Sequence, residues 1–300
     1  MTTTASFRGA VPVGTTGRWG AITSSVDWCE LNYVVLDWVA EFWNSLSSFA
    51  MVGVGLWGIL SHRNVLEKRF LLAFFFVTLL GLGSVLFHAS LKHETQMCDE
   101  LPMLYAVFTT LFIVLDERIN SRFPLAALLI FWSVVTSAAT VFASGNLQFV
   151  LFHLSFGSAE FYSLYRVYCI YCRHQMDKYA CDNAGGSNLA LARLAKIESD
   201  VGRLFSRGML SYVIGLAVWI TDLKGCWLLQ EWWPSVSGMP NPQLHAWWHI
   251  FVSLGFYYLI TLTAYDRLLT LTPTSMPVVI KWKLGVLPFL RLRKGTKAMS

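Results

Sequence analysis

Charged side chains are scarce in this sequence of 300 residues. Asp, Glu, Lys and Arg together make up 14% of the chain, whereas 55% is hydrophobic and the mean hydropathy is +0.51. A soluble domain of this length carries more charge on its surface, so that class of protein is excluded. The composition predicts an integral membrane protein.

Three further features are missing from the sequence. The net charge of +5 does not form a basic stripe, because Lys and Arg separate hydrophobic runs, so no nucleic-acid partner is expected. Residues 1–28 lack a continuous apolar core and a small-residue cleavage site, so the N-terminus is expected to be retained. Neither an inverted repeat nor a pair of broken helices is evident, which argues against a transporter.

What the chain does contain is a series of apolar segments, each close to the roughly 20 residues that a helix needs to cross a bilayer. Seven can be counted, at residues 42–60, 70–91, 100–115, 123–143, 147–171, 208–223 and 244–268. The predicted fold class is therefore all-α, a bundle of seven transmembrane helices.

The loops between these segments predict the orientation, since Lys and Arg at helix ends favour the cytosol. Most of the Lys and Arg residues follow segments one, three, five and seven. The N-terminus is thus predicted to be lumenal or extracellular and the C-terminus cytosolic. We expect a lumenal segment at 1–41, a seven-helix domain at 42–268, and a basic cytosolic tail at 269–300 that is solvated or touches headgroups. Residues 173–207 are predicted to be a linker that contains a flexible break at 182–188 and, after it, an amphipathic stretch that lies along the cytosolic surface.

Two pairs of polar residues stand four positions apart, Ser84 with His88 and His245 with His249, so each pair shares one helix face. The predicted topology places both pairs, and Asp99, near the lumenal surface. Three imidazoles form a ligand set for catalytic zinc, which lowers the pKa of bound water to about 7. We predict that the histidines bind zinc, that Asp99 handles the proton of water, and that Ser84 donates to an oxyanion. The expected chemistry is hydrolysis or a related addition at a carbonyl.

Other polar residues in the apolar segments have simpler interpretations. The HAWWH motif taken alone also fits an aromatic belt at the membrane interface. Glu160, near Arg166, and Asp222 are candidates for internal pairing, or else for contact with a substrate headgroup. The remaining histidines of the helices and their ends are interpreted as packing or interfacial residues: His62, His93, His153 and His174.

An acidic cluster precedes the first apolar segment. Its members lie within 15 residues: Asp27, Glu30, Asn32, Asp37 and Glu41. Oxygen ligands at this density suit calcium better than zinc, although the spacing is not that of an EF-hand loop. A solvated acidic entry to the first helix, favoured by the positive helix N-terminus, explains the cluster equally well. The residues alone leave both interpretations open.

Three of the six cysteines map to the lumenal side, at Cys29, Cys98 and Cys226. Lumenal thiols can oxidise, and a bridge between Cys29 and Cys226 would tie the N-terminal segment to the loop before the last helix.

Three motifs together resemble one known family. DWCELNYVV with WVAEFWN (27–44), GSVLFHASL with CDELPM (83–103), and LHAWWH (244–249) stand in the order and spacing typical of the alkaline ceramidases. These are seven-helix membrane amidases related to the adiponectin receptors. The resemblance covers about residues 26–266.

The resemblance implies zinc bound by His88, His245 and His249, with Ser84 and Asp99 in catalysis, and the sequence departs from the pattern at none of these positions. It implies a calcium site at Asp27, the Trp28 carbonyl, Glu30, Asn32 and Glu41, and it also suggests the disulfide. The expected reaction is cleavage of the amide of ceramide, dihydroceramide or phytoceramide into a sphingoid base and a fatty acid, in endoplasmic reticulum or Golgi membranes. The alternative is a seven-helix lipid receptor or sensor with a structural metal.

Overall fold

The computed structural model describes residues 17–116, 122–272 and 277–292. The expectations for the first sixteen and the last eight residues therefore fall outside the described part. The described residues form α1 (Phe42–His62), α2 (Lys68–Ser90), α3 (His93–Asp116), α4 (Arg122–Phe142), α5 (Gly145–Asn183), α6 (Asn188–Lys224), a π-helical turn (Leu228–Trp232), α7 (Trp233–Ser237), α8 (Leu244–Leu271), and strands β1 (Val278–Lys283) and β2 (Leu287–Leu292). The prediction of a helical bundle is confirmed.

Six of the described helices are long and apolar enough to cross a membrane. They correspond to predicted segments one to four, six and seven, and the chain is a multi-pass membrane protein. The fifth segment lies in α5, a helix of 39 residues that carries buried Gln148, Glu160 and Arg166 among its apolar side chains. Those polar residues lower its hydropathy.

The linker predicted at 173–207 is helical for most of its length, whereas the flexible break predicted at 182–188 contains the turn between α5 and α6. Helix α5 continues to Asn183, and α6 begins at Asn188, where the Ser187 hydroxyl accepts a hydrogen bond from the Ala190 N–H. Only a short turn around Gly185, whose φ of 67° suits glycine, separates the two helices. Ion pairs such as Lys178 with Glu198 join α5 to α6 and stabilise the extensions.

Helix α8 occupies the centre of the bundle. It packs between α1 and α6 and also contacts α2, α3 and α5, so two-thirds (67%) of its most apolar stretch is buried. By contrast, α4 lies at the periphery against α3 and α5, with 17% of its stretch buried. A central position for α8 places its N-terminal histidines next to the end of α2.

Helices α2 and α3 approach each other closely at Gly83, one residue before Ser84. A Cβ atom on Gly83 would lie 1.8 Å from the carbonyl oxygen of Cys98, which is backbone and cannot move alone. The absence of a side chain therefore allows Ser84 and Asp99 to meet across the two helices.

We expect Gly83→Ala to separate α2 from α3, because the added methyl group must displace backbone. Overpacking of this kind costs about 1–3 kcal/mol. The variant should therefore melt several degrees below wild type and lose activity. Gly53→Ala in α1 is the matched control, since nothing lies within 4 Å of its Cβ position. Equal melting temperatures for the two variants would contradict the close approach.

The sequence predicted a C-terminal tail that is solvated or touches headgroups, but part of this tail is folded. Strands β1 and β2 pair antiparallel, and the hairpin they form buries Val278 and Leu290 against the end of the bundle. The hydroxyl of Tyr258 donates to the Val286 carbonyl, and the Leu290 N–H donates to the buried Nε2 of His62. His62 is thus a packing residue, as predicted, and it helps to hold the hairpin.

Candidate metal centre

Three histidines from two helices converge at one end of the bundle. His88 lies in the last turn of α2, whereas His245 and His249 lie in the first turns of α8. Their ring centroids are 4.7–5.1 Å apart, and one potential ligand atom from each lies within 4.8 Å of the others. All three are buried. The predicted convergence of the two helical faces is therefore what the structure shows.

Two of these rings are held by hydrogen bonds from α1 and the residue before it. His88 Nδ1 lies 2.5 Å from Oε2 of Glu41, a fully buried carboxylate, and His249 Nδ1 lies 2.8 Å from the Ser47 hydroxyl. Such partners fix ring orientation and leave the opposite nitrogen for a metal. In both rings Nε2 is the nitrogen left over.

The third ring is held by stacking and through its backbone. The His245 imidazole stacks on Trp28, with centroids 3.7 Å apart and planes inclined by 20°. Its backbone N–H donates to Asp222, which also accepts from the Cys29 N–H. The internal pairing predicted for Asp222 is thus observed, and it links α6, α8 and the N-terminal segment.

The cluster has the properties of a metal site. Within the described part of the chain, His88 Nε2 and His245 Nδ1 are buried without a hydrogen-bond partner. A buried polar atom without a partner destabilises a fold unless something binds it. The residues present therefore fit a cation held by three imidazole nitrogens.

Ser84 and Asp99 lie beside the histidines. Ser84, one turn before His88, accepts a hydrogen bond from the Ser48 hydroxyl at 3.0 Å and donates one to the Asp99 carboxylate. The sequence predicted that the hydroxyl, the imidazoles and the carboxylate would lie near one another, and the structure brings them together.

A cavity of about 340 Å³ lies beside this group. Ser84, Asp99, His245 and His249 are among the residues that line it. The rest of the wall is mostly apolar and includes Met51, Leu80, Phe87, Met103, Phe152, Phe156, Leu164, Met209, Leu216, Val252 and Phe256. A mostly apolar cavity with a few convergent polar groups is typical of a site for an apolar ligand.

The residues of the predicted calcium site are near one another but less convergent than the histidines. Glu30 accepts hydrogen bonds from the backbone N–H groups of Trp43 and Asn44 at the start of α1, and Asn32 donates to both oxygens of Asp27. Glu30 thus accepts from the N-terminus of α1, as the helix-entry interpretation predicted, but it is buried together with Asp27 and Glu41, so the cluster is not the solvated entry that this interpretation assumed. Asp37 is exposed and lies apart.

The remaining contacts of this acidic group still fit a cation. Glu41 accepts from the Trp28 N–H at 2.9 Å, and the buried Oδ1 of Asn32 has no partner among the described residues. Burial raises the pKa of Glu41 to about 8, and the nearby Asp222 carboxylate adds to the effect. Burial and the neighbouring Glu41 raise the pKa of Glu30 to about 7. A bound cation would relieve this crowding of buried carboxylates.

The predicted disulfide between Cys29 and Cys226 is present, with Cα atoms 5.3 Å apart. It fixes the N-terminal segment, which carries Trp28 and Glu41, to the loop that leads into α8.

Sequence reasoning did not predict the contact of Glu41 with His88 or that of Asp222 with the backbone of His245. In the sequence, Asp222 stands out as a charged residue within an apolar segment. Nothing marks Glu41 except its place in the acidic cluster.

The fold and this site define a multi-pass helical membrane protein with a buried cluster of three histidines, compatible with a metal cation, beside a mostly apolar cavity. Comparison with known proteins agrees, because the ceramidase family model matches residues 20–291. The chain belongs to the ceramidase family.

Curated relatives support that membership. Alkaline ceramidase 3 of Mus musculus is 30% identical over 261 residues, which cover 85% of this chain and 88% of the relative. Alkaline ceramidase of Arabidopsis thaliana is 28% identical (94% and 97% covered), and alkaline ceramidase YPC1 of Saccharomyces cerevisiae is 29% identical (94% and 88% covered). The resemblance found in the motifs is thus confirmed over most of the chain, and the chain is an enzyme of the alkaline ceramidase type.

Proposed function

We propose that the chain is a zinc-dependent intramembrane amidase that hydrolyses the N-acyl bond of ceramide, dihydroceramide or phytoceramide. The products are a sphingoid base and a free fatty acid. The observation that carries this proposal is the convergence of the three histidines, two of which line a mostly apolar cavity together with Ser84 and Asp99. Ceramide has two apolar chains and a small uncharged headgroup, so its amide can reach such a site from the bilayer.

Zinc is the proposed metal, because three neutral imidazoles without a thiolate suit a catalytic zinc site. His88, His245 and His249 would hold it. Bound zinc would polarise the amide carbonyl and activate a water molecule. Glu41 and Ser47 act on two of these ligands by fixing their ring orientation.

Asp99 and Ser84 carry the proton and charge changes of the reaction in this proposal. Asp99 accepts a proton from the water whose oxygen adds to the carbonyl carbon, and it returns that proton to the nitrogen as the C–N bond breaks. Ser84 donates to Asp99 in the structure. Once Asp99 is protonated, that hydroxyl becomes available to the oxyanion.

We further propose that α5 is a seventh span, since it lies in the bundle against α3, α4 and α6. The N-terminal segment (1–41) and the metal centre then lie on the lumenal side of the seven-helix domain (42–268), and the tail (269–300) lies in the cytosol. The disulfide supports this orientation, because disulfides persist in oxidising compartments. Endoplasmic reticulum or Golgi membranes are the proposed location.

Calcium is proposed as a second metal, held by oxygens of the N-terminal segment. Its ligands would be Asp27, the Trp28 carbonyl, Glu30, Asn32 and Glu41. The buried carboxylates and the unpartnered Asn32 oxygen support this assignment.

Calcium is therefore expected to stabilise the folded protein. A ligand at about 100 times its Kd adds about 2.7 kcal/mol to the free energy of unfolding, so EGTA should lower Tm by several degrees. Asp27→Ala should abolish the shift, whereas Asp37→Ala, an exposed aspartate of the same segment, should keep it. An EGTA effect on turnover without an effect on Tm would indicate regulation instead of stabilisation; no effect on either would remove calcium from the proposal.

The proposed activity is tested on the purified full chain with a panel of defined ceramides. Sphingoid base is quantified by mass spectrometry, and zinc is measured on the same sample. Release of sphingoid base by protein with about one zinc per chain supports the enzyme. Binding of ceramide without release would overturn the activity and support a lipid sensor with a structural metal.

A further inference from the structure

The C-terminal hairpin has two faces, because side chains alternate along its strands β1 and β2. The inner face packs on the bundle and includes the buried residues Val278 and Leu290. The strand register assigns six residues to the outer face: Val279, Lys281, Lys283, Leu287, Phe289 and Arg291. Its three charged members, Lys281, Lys283 and Arg291, are all exposed and all basic, and we call them the outer cations.

No acidic side chain neutralises the outer cations within the described part of the chain. They take part in none of its ion pairs, and every charged residue that follows Asp266 in the sequence is basic. By contrast, Lys196 and Arg203 of α6 share the buried carboxylate of Asp200. The outer face of the hairpin therefore presents uncompensated positive charge.

The hairpin lies at the end of the bundle opposite to the metal centre. The Leu290 N–H donates to His62, the last residue of α1, whereas the ring of His249 contacts Ser47 in the first turns of α1. If the metal centre faces the lumen, the outer cations face the cytosolic leaflet of the membrane.

The tip of the hairpin lies at the edge of the lipid hydrocarbon. It carries Leu284, which is 85% exposed, and the next carbonyl, that of Gly285, accepts a hydrogen bond from Arg207 of α6. Leu210, one turn further along α6, is exposed within the apolar segment at 208–223. An exposed leucine on a helix that crosses the membrane faces lipid. The tip is therefore at the level where hydrocarbon meets headgroups.

The tip and the outer cations together match the surface of an anionic membrane. Lys and Arg can keep their apolar stems at the interface while their charged ends reach phosphate groups, and an exposed leucine can enter the acyl boundary. Membranes that contain phosphatidylserine attract basic segments to their surface. A nucleic acid or an acidic protein would pair with the cations but would leave Leu284 without an apolar partner.

We propose that the outer face of the hairpin is a docking surface for anionic phospholipid headgroups, in the leaflet opposite to the metal centre. The hydroxyls of Tyr257 and Tyr258 donate to the Pro288 and Val286 carbonyls, so the hairpin is attached to the central helix α8. Lipid bound to the outer face should therefore hold the hairpin on the bundle. The inference goes beyond the proposed amidase activity and does not depend on it.

Binding is measured by native mass spectrometry of the purified full chain, which is titrated with phosphatidylserine or with phosphatidylcholine of the same acyl chains. Each basic residue near an anionic surface contributes about a fivefold gain in affinity, so three contribute about a hundredfold. Lys281→Gln/Lys283→Gln/Arg291→Gln should thus weaken phosphatidylserine binding about a hundredfold and leave phosphatidylcholine binding unchanged.

The matched control removes the same charge from other exposed positions at this end of the bundle. Arg63→Gln/Lys68→Gln/Arg193→Gln should keep most of the affinity for phosphatidylserine, because these residues lie outside the hairpin. Equal losses in the two triple variants would show that the total charge of this end attracts the lipid, and would overturn the docking surface. Tm is compared first, to confirm that both variants are folded.

Hydrogen exchange of the wild type tests the location without any substitution. In nanodiscs that contain phosphatidylserine, the amides of residues 278–292 should exchange more slowly than in nanodiscs of phosphatidylcholine alone. Equal exchange in the two membranes, or a wild type that binds both lipids equally well, would overturn the proposal. Glycerophosphoserine, the same headgroup without chains, should not displace the lipid at equal concentration; if it does, the ligand is a soluble anion and not the membrane.

Discussion

Asp99→Asn is expected to release sphingoid base from ceramide at least about 100-fold more slowly than the wild type, which is the low end of what general acid-base catalysis contributes. The amide has the shape of the carboxylate and can still accept the hydrogen bond that Ser84 donates. It cannot take a proton from water or return one to the leaving nitrogen. The loss should appear in kcat, with a smaller change in KM.

The variant separates chemistry from structure because the histidines are not altered. Zinc content and Tm should match the wild type, since Asp99 is not among the three converging ligands. Asp177→Asn is the control, because Asp177 is exposed near the far end of α5. Full turnover by Asp99→Asn would remove this carboxylate from the mechanism and leave the metal centre in place.

The convergence of the histidines was predictable because its signal is periodic. His245 and His249 share a helix face at any position in a bundle, and so do Ser84 and His88. The charge pattern of the loops then put both pairs at the same membrane surface. What the sequence does not encode locally is the contact between helices: Gly83 allows α3 to approach α2, but one glycine among 21 gives no indication of that.

The residues that orient the ligands were harder to predict for the same reason. Glu41 precedes His88 by 47 positions, and its carboxylate also accepts from the Trp28 N–H. In the sequence it is one acid among several before α1, where a calcium ligand and a helix-entry charge are equally reasonable. Only the tertiary contact shows that it holds the His88 ring, which connects the acidic cluster to the metal centre.

The extensions of α5 and α6 and the C-terminal hairpin were missed because hydropathy identifies only the parts of a helix that contact lipid. Helices α5 and α6 continue past their apolar stretches into segments with many charges, where ion pairs such as Lys178 with Glu198 replace burial in the membrane. The hairpin is stabilised by side chains of the helices, among them Tyr258 and His62. Its own strands of six residues have only a weak alternating pattern.

His249→Ala should lose both metal and activity. Two imidazoles remain, and a site for catalytic zinc requires three protein ligands, so zinc content should fall from about one per chain to a small fraction. The expected fall in kcat/KM is about a thousandfold or more, because the metal supplies several kcal/mol of stabilisation to the transition state. Added zinc should restore little of it.

The matched control is His93→Ala, a partly exposed histidine at the start of α3 whose Nε2 reaches the Val141 carbonyl at 3.3 Å. It removes the same side chain without touching the cluster, so zinc content and turnover should stay near wild type. Both variants are first compared by Tm, because His249 also contacts Ser47 and Ser48. If folded His249→Ala kept its zinc, the ion would be bound elsewhere and the three imidazoles would not be its ligands; if it lost zinc yet kept turnover, the metal would be structural.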